Sequence, residues 1–233
     1  MNTLEVIKEI VGNTSDISGI YIHSFPTAPK LENRLSFNAI EKEHYESALK
    51  LRAEHNVPFW DALMLSFYNK EQFSIRILDS VLNSHAKREK QFVSRETLLN
   101  TEFLEKLQFG SENYAISSQL ETKDGNRRHL LLLDFHIPET ENNQLIVEKV
   151  LELLGVKKGY LLRSGKSYHF IGSDLITTYG LISFISRCLF FTPIVDKSWI
   201  AHQLIEKSCS LRFTEKKGLY PSVIKTFQRK LEG

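Results

Sequence analysis

Cysteine is scarce in this chain, and neither Cys188 nor Cys209 has a neighbour at metal-ligand spacing. That excludes a zinc finger or ribbon, and it excludes a small secreted scaffold built on disulfides. Long hydrophobic runs are lacking too. The longest apolar window, around residues 181–195, is interrupted by Arg187 and too short to span a bilayer. Residues 1–11 carry Glu5, Lys8 and Glu9 through their apolar positions, so no signal-peptide pattern forms. Low-complexity blocks and internal repeats are missing. These absences lead to the expectation of a soluble, cytoplasmic protein with no membrane contact. An excess of one charge is also absent. A formal net charge of +2 does not mark a nucleic-acid binder by itself. Strand binding would have to rest on local basic pairs such as Lys157-Lys158, Lys216-Lys217 and Arg229-Lys230.

What is present is an ordinary globular composition, 42% apolar and 25% charged over 233 residues. That is enough for a real core in one domain, or in a small domain with an appended module. Residues 3–11 have the spacing of a short amphipathic helix, and residues 19–25 alternate like a strand until Pro26. A proline-bearing loop over 26–33 precedes a largely helical block at 40–82, broken by Pro58. Within it Phe59, Trp60, Leu63, Met64, Phe67 and Tyr68 recur at helical spacing and read as core-facing. Residues 94–107 read as one more helix, with Ser94 at its start and Glu96 in its first turn.

From Asn113 the character changes. Residues 114–120 and 129–134 flank Asp124-Gly125, a hairpin signal because both central residues of a type I′ turn need positive φ. Residues 144–154 are helical, 159–172 form two apolar runs about a small polar turn, and 175–190 are helical again. Residues 209–214 are strand-like, and Pro221 is placed to open a last helix running to Lys230. The expected fold is α+β: an RRM-like, antiparallel-rich sheet with helices on one face, beside an N-terminal mostly helical α/β module. The expected division is 1–110 for that module and 111–233 for the core with its C-terminal helix.

The chemistry concentrates at the strand ends. Leu130-Leu131-Leu132-Leu133-Asp134-Phe135-His136-Ile137-Pro138 closes an apolar run with an acid, a histidine and a proline. Gly165-Lys166-Ser167 fails as a P-loop. The spacing requires glycine where Tyr160 stands, and the residues after Ser167 are strand-like, whereas a P-loop opens a helix. A paired-histidine phosphoesterase on His136 and His169 is weakened by Pro138 and Ile171, which stand where hydroxyls would be needed. No Ser–His–Asp or Cys–His arrangement is evident. Metal-assisted nucleotide chemistry remains. Asp134 is a hard ligand for Mg²⁺ or Mn²⁺, and Asp196 could be another. Ser164, Lys166 and the N–H groups of the Gly165 turn can take phosphate oxygens, and His169 can donate to a phosphate or sugar. Arg212 puts a fork-shaped cation on a strand. Plainer roles stay open: Asp196 as a helix N-cap ahead of Trp199, Arg212 paired with Glu206, and Trp199 and His202 packed on the sheet.

The pieces Leu132-Leu133-Asp134-Phe135-His136 and Arg163-Ser164-Gly165-Lys166-Ser167-Tyr168-His169-Phe170 resemble the catalytic core of the archaeo-eukaryotic primase superfamily, closest to the small bacterial branch described as primase 1D-like. Residues 195–202 and 210–214 resemble that family's third acid and its later arginine, so the likeness covers roughly 113–221. The resemblance implies short-primer synthesis from nucleoside triphosphates on a single-stranded DNA or RNA template, with Mg²⁺ or Mn²⁺ and a helicase or other replication or defence partner. It implies Asp134, His136 and Asp196 as metal ligands, with His169 beside them in catalysis. Arg163, Ser164, Gly165, Lys166, His169 and Arg212 would bind the nucleotide. One departure stands out: His136 occupies the place of the family's usual second carboxylate. An imidazole favours Mn²⁺ over Mg²⁺, so either softer ions are preferred, or Glu139 or another acid substitutes, or catalysis is lost and binding remains. The alternatives are therefore a nucleotide- or nucleic-acid-binding module of the same fold, and a metal-dependent phosphodiesterase or nuclease.

Overall fold

Asn2 starts the first helix, α1 (Thr3–Asn13), through a reciprocal capping box with Glu5. Its buried Leu4, Val6, Ile7, Ile10 and Val11 join the main core, each such burial stabilising by about 1.5–3 kcal/mol. The computed structural model describes residues 1–24, 37–67, 74–82, 89–110, 112–215 and 218–229. The chain forms two compact units, Met1–Phe25 with Arg88–Gly233, and Pro26–Lys87. The units do not follow the expected 1–110 and 111–233 division. Strand β1 (Ile17–Ser24) lies in the same sheet as β3 (Tyr114–Thr122), so backbone pairing ties the first residues to the core.

The larger unit is an α+β arrangement on an antiparallel sheet, as the strand and helix order predicts. Beside β1 and β3 it contains β2 (Gln91–Ser94), β4 (Arg127–Asp134), β5 (Lys158–Arg163), β6 (Tyr168–Ile176), β7 (Ser210–Arg212) and β8 (Ser222–Gln228). The order is β2-β1-β3-β4-β6-β5-β8, with β7 on β3. Leu130, Leu131, Leu132 and Leu133 are all buried, and alternate strand residues point to opposite faces, so β4 is covered on both sides rather than one.

One irregularity builds the site. Strand β3 pairs β4 through Gln119↔His129, Leu120↔Arg128 and Glu121↔Arg127, and then the two diverge. β7 takes over β3 at Ala115↔Arg212, Ile116↔Leu211 and Ser117↔Ser210. Arg212 is thereby brought to the same end of the sheet as Asp134.

Several expected elements shift. Residues 94–107 are two helices, α5 (Arg95–Leu99) and α6 (Thr101–Phe109), because the Asn100 side chain accepts from Glu102 and Phe103 N–H and starts a new cap. Helix α7 (Glu141–Leu153) begins earlier than predicted, capped by Thr140. Strand β6 continues to Ile176, so α8 (Thr178–Cys188) starts later, under a Thr177 cap. Helix α9 (Lys197–Glu206) precedes β7. The predicted last helix after Pro221 is instead strand β8. Val223, Ile224, Thr226 and Phe227 favour extended backbone, and the open edge of β5 pairs them from Lys158↔Gln228 to Arg163↔Ser222.

The smaller unit contains α2 (Ala39–His55), α3 (Phe59–Ser66) and α4 (Ile75–Leu82). Tyr45, Ala48, Ala62, Leu63, Phe67 and Ile77 form its core. Met64 is 50% exposed and leaves the predicted apolar stripe. Glu41 is 2% exposed. It accepts from Arg76 Nε at 3.0 Å and Ser74 Oγ at 2.8 Å, and chiefly the Arg76 guanidinium holds its pKa down at about 2. The proline-bearing loop at 26–33, Tyr68, Lys216-Lys217 and Lys230 lie outside the described residues.

Candidate functional site

Asp134 ends β4 and His169 follows the first residue of β6, and the two are direct cross-strand partners. Such partners share a face, and His169 Nε2 lies 3.6 Å from Asp134 Oδ1. The imidazole side chain is only 7% exposed and the carboxylate 31%, so solvent reaches the pair from the aspartate side. Burial of Phe135 at 1% exposure, with its N–H donating to Tyr168 O at 2.9 Å, anchors the strand end immediately after Asp134.

The segment before α9 then docks against that end. Phe135 and Val195 form an isolated bridge, and His136 N–H donates to Ile194 O at 2.8 Å. Asp196 N–H donates to the carbonyl of Asp134 itself at 3.1 Å. Asp196 is also the N-cap of α9, its Oδ1 accepting from Trp199 N–H at 2.8 Å. Its Oδ2 stands 3.3 Å from His136 Nδ1. The N-cap reading of Asp196 and its place beside Asp134 are therefore compatible: one oxygen caps the helix while the other faces the exposed His136.

Arg212 does not pair with Glu206. Its guanidinium donates to the carbonyls of Thr214 and, at 3.0 Å, Ser164. Burial draws its pKa below the ordinary value, and the Asp134 charge opposes that shift. Through Ser164 it grips the β5–β6 turn, where Ser164 N–H donates to Ser167 O at 2.9 Å and the two hydroxyls lie 3.1 Å apart. Gly165 has φ +115°, a value that only glycine adopts without strain, and Lys166 is exposed at the tip.

Arg163 is engaged elsewhere. Its Nε lies 3.2 Å from Glu139 Oε1, and Glu139 N–H donates to Lys166 O at 3.2 Å. Tyr168 hydroxyl donates to Thr140 O at 2.7 Å and accepts from Thr140 N–H at 2.8 Å. These contacts clasp residues 138–140 to the turn, a role for Glu139, Thr140 and Tyr168 that the sequence reading did not assign. The available signal was the placement of Thr140 ahead of a helical run, which marks a cap. In this structure Glu139 pairs with Arg163.

Trp199 packs against the main core and donates from Nε1 to Ser210 O at 3.0 Å. Among the described residues, no three His, Cys, Asp or Glu side chains converge as a ready-made metal cage. The donors come instead as two pairs joined through the Asp134–Asp196 backbone bond. Two carboxylates of this kind suit Mg²⁺ or Mn²⁺, which commonly take one or two protein carboxylates and complete their shell with water and substrate phosphates.

Comparison with curated proteins and with solved structures gave no significant match. A family model matches residues 91–225, a span that takes in both strand ends, the Gly165 turn, Asp196 and Arg212. The chain therefore belongs to the AEP-like family, archaeo-eukaryotic primase 1D-like.

Proposed function

We propose that this protein is a primase-polymerase-like nucleotidyltransferase, extending or starting short strands from nucleoside triphosphates on a single-stranded template. The observation that carries the reading is the Asp134–Asp196 pair, coupled by a backbone hydrogen bond of 3.1 Å and flanked by Arg212. In such a reaction a 3′-hydroxyl attacks the α-phosphorus of the triphosphate, the new phosphodiester bond forms, and pyrophosphate leaves. Asp134 and Asp196, with His136 at the rim, would hold Mg²⁺ or Mn²⁺. A divalent ion there supplies charge neutralisation on the transferring phosphoryl group.

The chain's own groups do the positioning. Arg212 is held by two carbonyls, so its remaining N–H groups carry a fixed positive charge beside the Gly165 turn. Lys166, exposed at that turn, reaches the outer phosphates. His169, 3.6 Å from Asp134, would orient that carboxylate. Nucleic acid and nucleoside triphosphates are the partners this reading requires.

The test is incorporation of labelled nucleotide on a primed and an unprimed template in Mg²⁺ and in Mn²⁺. Product is expected, stronger in Mn²⁺, and reduced at least ~100-fold in Asp134→Asn. A second reading, a binding module without turnover, is favoured by His136 standing beside Asp196 in place of a second carboxylate. Triphosphate binding with no product in either metal selects it. Degradation of the input strand without synthesis selects a phosphodiesterase or nuclease.

A further inference from the structure

Tyr179 is 83% exposed and Phe190 88%, more than any other large apolar or aromatic side chain among the described residues. Rings left in solvent forgo the burial through which aromatics stabilise a core. The two stand eleven residues apart, about three helical turns, at the opposite ends of α8 and its continuation. Backbone angles stay right-handed helical through Leu189 into a 3₁₀ turn over Leu189–Phe191, so both rings fall on one outer face. Between them that face presents Ser183 and Arg187, both exposed. The Arg187 guanidinium lies 5.9 Å from the centre of the Phe184 ring, which keeps the cation close to the helix surface.

The charge along this stretch has one sign. Among the described residues, α8 is the one α-helix that carries neither Asp nor Glu. No acid occurs from Leu175 to Val195, although 28 of the 233 residues are acidic. A polyanion lying along the segment therefore meets a cation and none of the segment's own carboxylates. The apolar side of α8 is already used, with Leu181, Phe184, Ile185 and Cys188 buried. What it offers outward is two rings separated by polar groups. That is neither the contiguous apolar centre of a protein interface nor the apolar face of a membrane-surface helix. Separate rings with a cation between them match the alternating bases and phosphates of a single strand. The stretch also leads into the candidate site. Val195 N–H donates to Phe191 O at 3.0 Å, and Val195 bridges Phe135, the residue after Asp134.

We propose that this outer face of α8 holds a nucleic-acid single strand, with bases stacked on Phe190 and Tyr179 and a phosphate at Arg187. The inference rests on the nucleotidyltransferase reading for its ligand and names the surface that would carry the template to the site. The test is fluorescence anisotropy of a labelled oligothymidylate and of an abasic strand of equal length, across a salt series. Wild type is compared with Phe190→Ala, Tyr179→Ala and Arg187→Gln, and with Leu153→Ala as an exposed apolar control on α7. Each ring variant is expected to weaken oligothymidylate ~10-fold and to leave the abasic strand unchanged. Arg187→Gln is expected to weaken both strands and to lower the salt slope by about 0.7. Leu153→Ala is expected to match wild type. All these positions are exposed, so melting temperatures are expected to stay at the wild-type value.

Ring variants that bind oligothymidylate as wild type does, or that lose the abasic strand equally, overturn the surface. Binding to phosphatidylserine–phosphatidylcholine vesicles and self-association in sedimentation are measured alongside. A loss confined to either one overturns it too, and assigns the rings to a membrane or to a second copy. Nucleotide incorporation separates this inference from the reading beneath it. Phe190→Ala is expected to raise the template KM ~10-fold and leave the triphosphate KM unchanged. Wild-type product with an unmoved template KM removes the surface and keeps the transferase. Strand binding that needs both rings, with no product from wild type, keeps the surface and removes the transferase.

Discussion

His136 and Asp196 face each other at 3.3 Å, and in the proposed nucleotidyltransferase this contact would bear on which metal is favoured. Replacing the imidazole by a carboxylate, His136→Asp, adds a hard oxygen donor beside Asp196. The rate in Mg²⁺ is expected to rise relative to that in Mn²⁺ by ~10-fold or more, read from incorporation at saturating metal. An unchanged ratio removes His136 from the metal-binding set. That Asp134 and His169 both stand at strand ends was legible in the sequence, whereas their direct pairing follows from β4 lying beside β6 in the sheet. The burial of His169 was not, since it depends on which layers cover the sheet. Nor was the Arg163–Glu139 pair legible, because ion-pair choice at 3.2 Å follows from how the strap at 138–140 folds back on the turn.

The β5–β6 turn depends on one backbone conformation, the positive φ of Gly165. Gly165→Ala forces a Cβ into that conformation, at a cost of about 1–3 kcal/mol. Triphosphate affinity is expected to fall, with a lower melting temperature, while Ser167→Ala removes only the hydroxyl contact to Ser164 at 3.1 Å and costs less. A Gly165→Ala protein as stable and as tight-binding as wild type contradicts the role given to the turn. The turn itself was visible in the sequence as a small polar stretch between apolar runs. Strand β8 was not: Pro221 fits the start of a helix or of a strand, and the unpaired edge of β5 settled the matter through long-range pairing. The same holds for β7, whose insertion where β3 and β4 diverge no local pattern announces.

At the scale of the whole molecule, the buried His129 and Glu41 both bear on the response to acid. His129 is 1% exposed, bonded to Ser118 Oγ and Thr178 Oγ1, each at 3.0 Å, and burial pushes its pKa down to about 4 from 6.5. The unfolded chain binds the proton first, so this contribution is complete above pH 6.5 and is lost as pH falls towards 4, by roughly 2–3 kcal/mol. His129→Gln is expected to flatten the melting temperature between those limits. In the smaller unit, Glu41 has its pKa lowered from 4.5 to about 2, so its contribution is present above pH 4.5 and fades as pH falls towards 2. Acid melts of wild type and Glu41→Gln are expected to converge in that lower window, and parallel curves would contradict it. The α+β order was legible from strand and helix periodicity, whereas the two-unit division was not, because β1 reaches its partner β3 only across the intervening smaller unit. The decisive measurement is anomalous scattering from a crystal of the whole chain grown with Mn²⁺ and a nucleoside triphosphate. A manganese peak bound by both Asp134 and Asp196, with phosphate oxygens towards Arg212 and the Gly165 turn, is the expected result. Manganese bound elsewhere, or a triphosphate bound away from those two carboxylates, would contradict it.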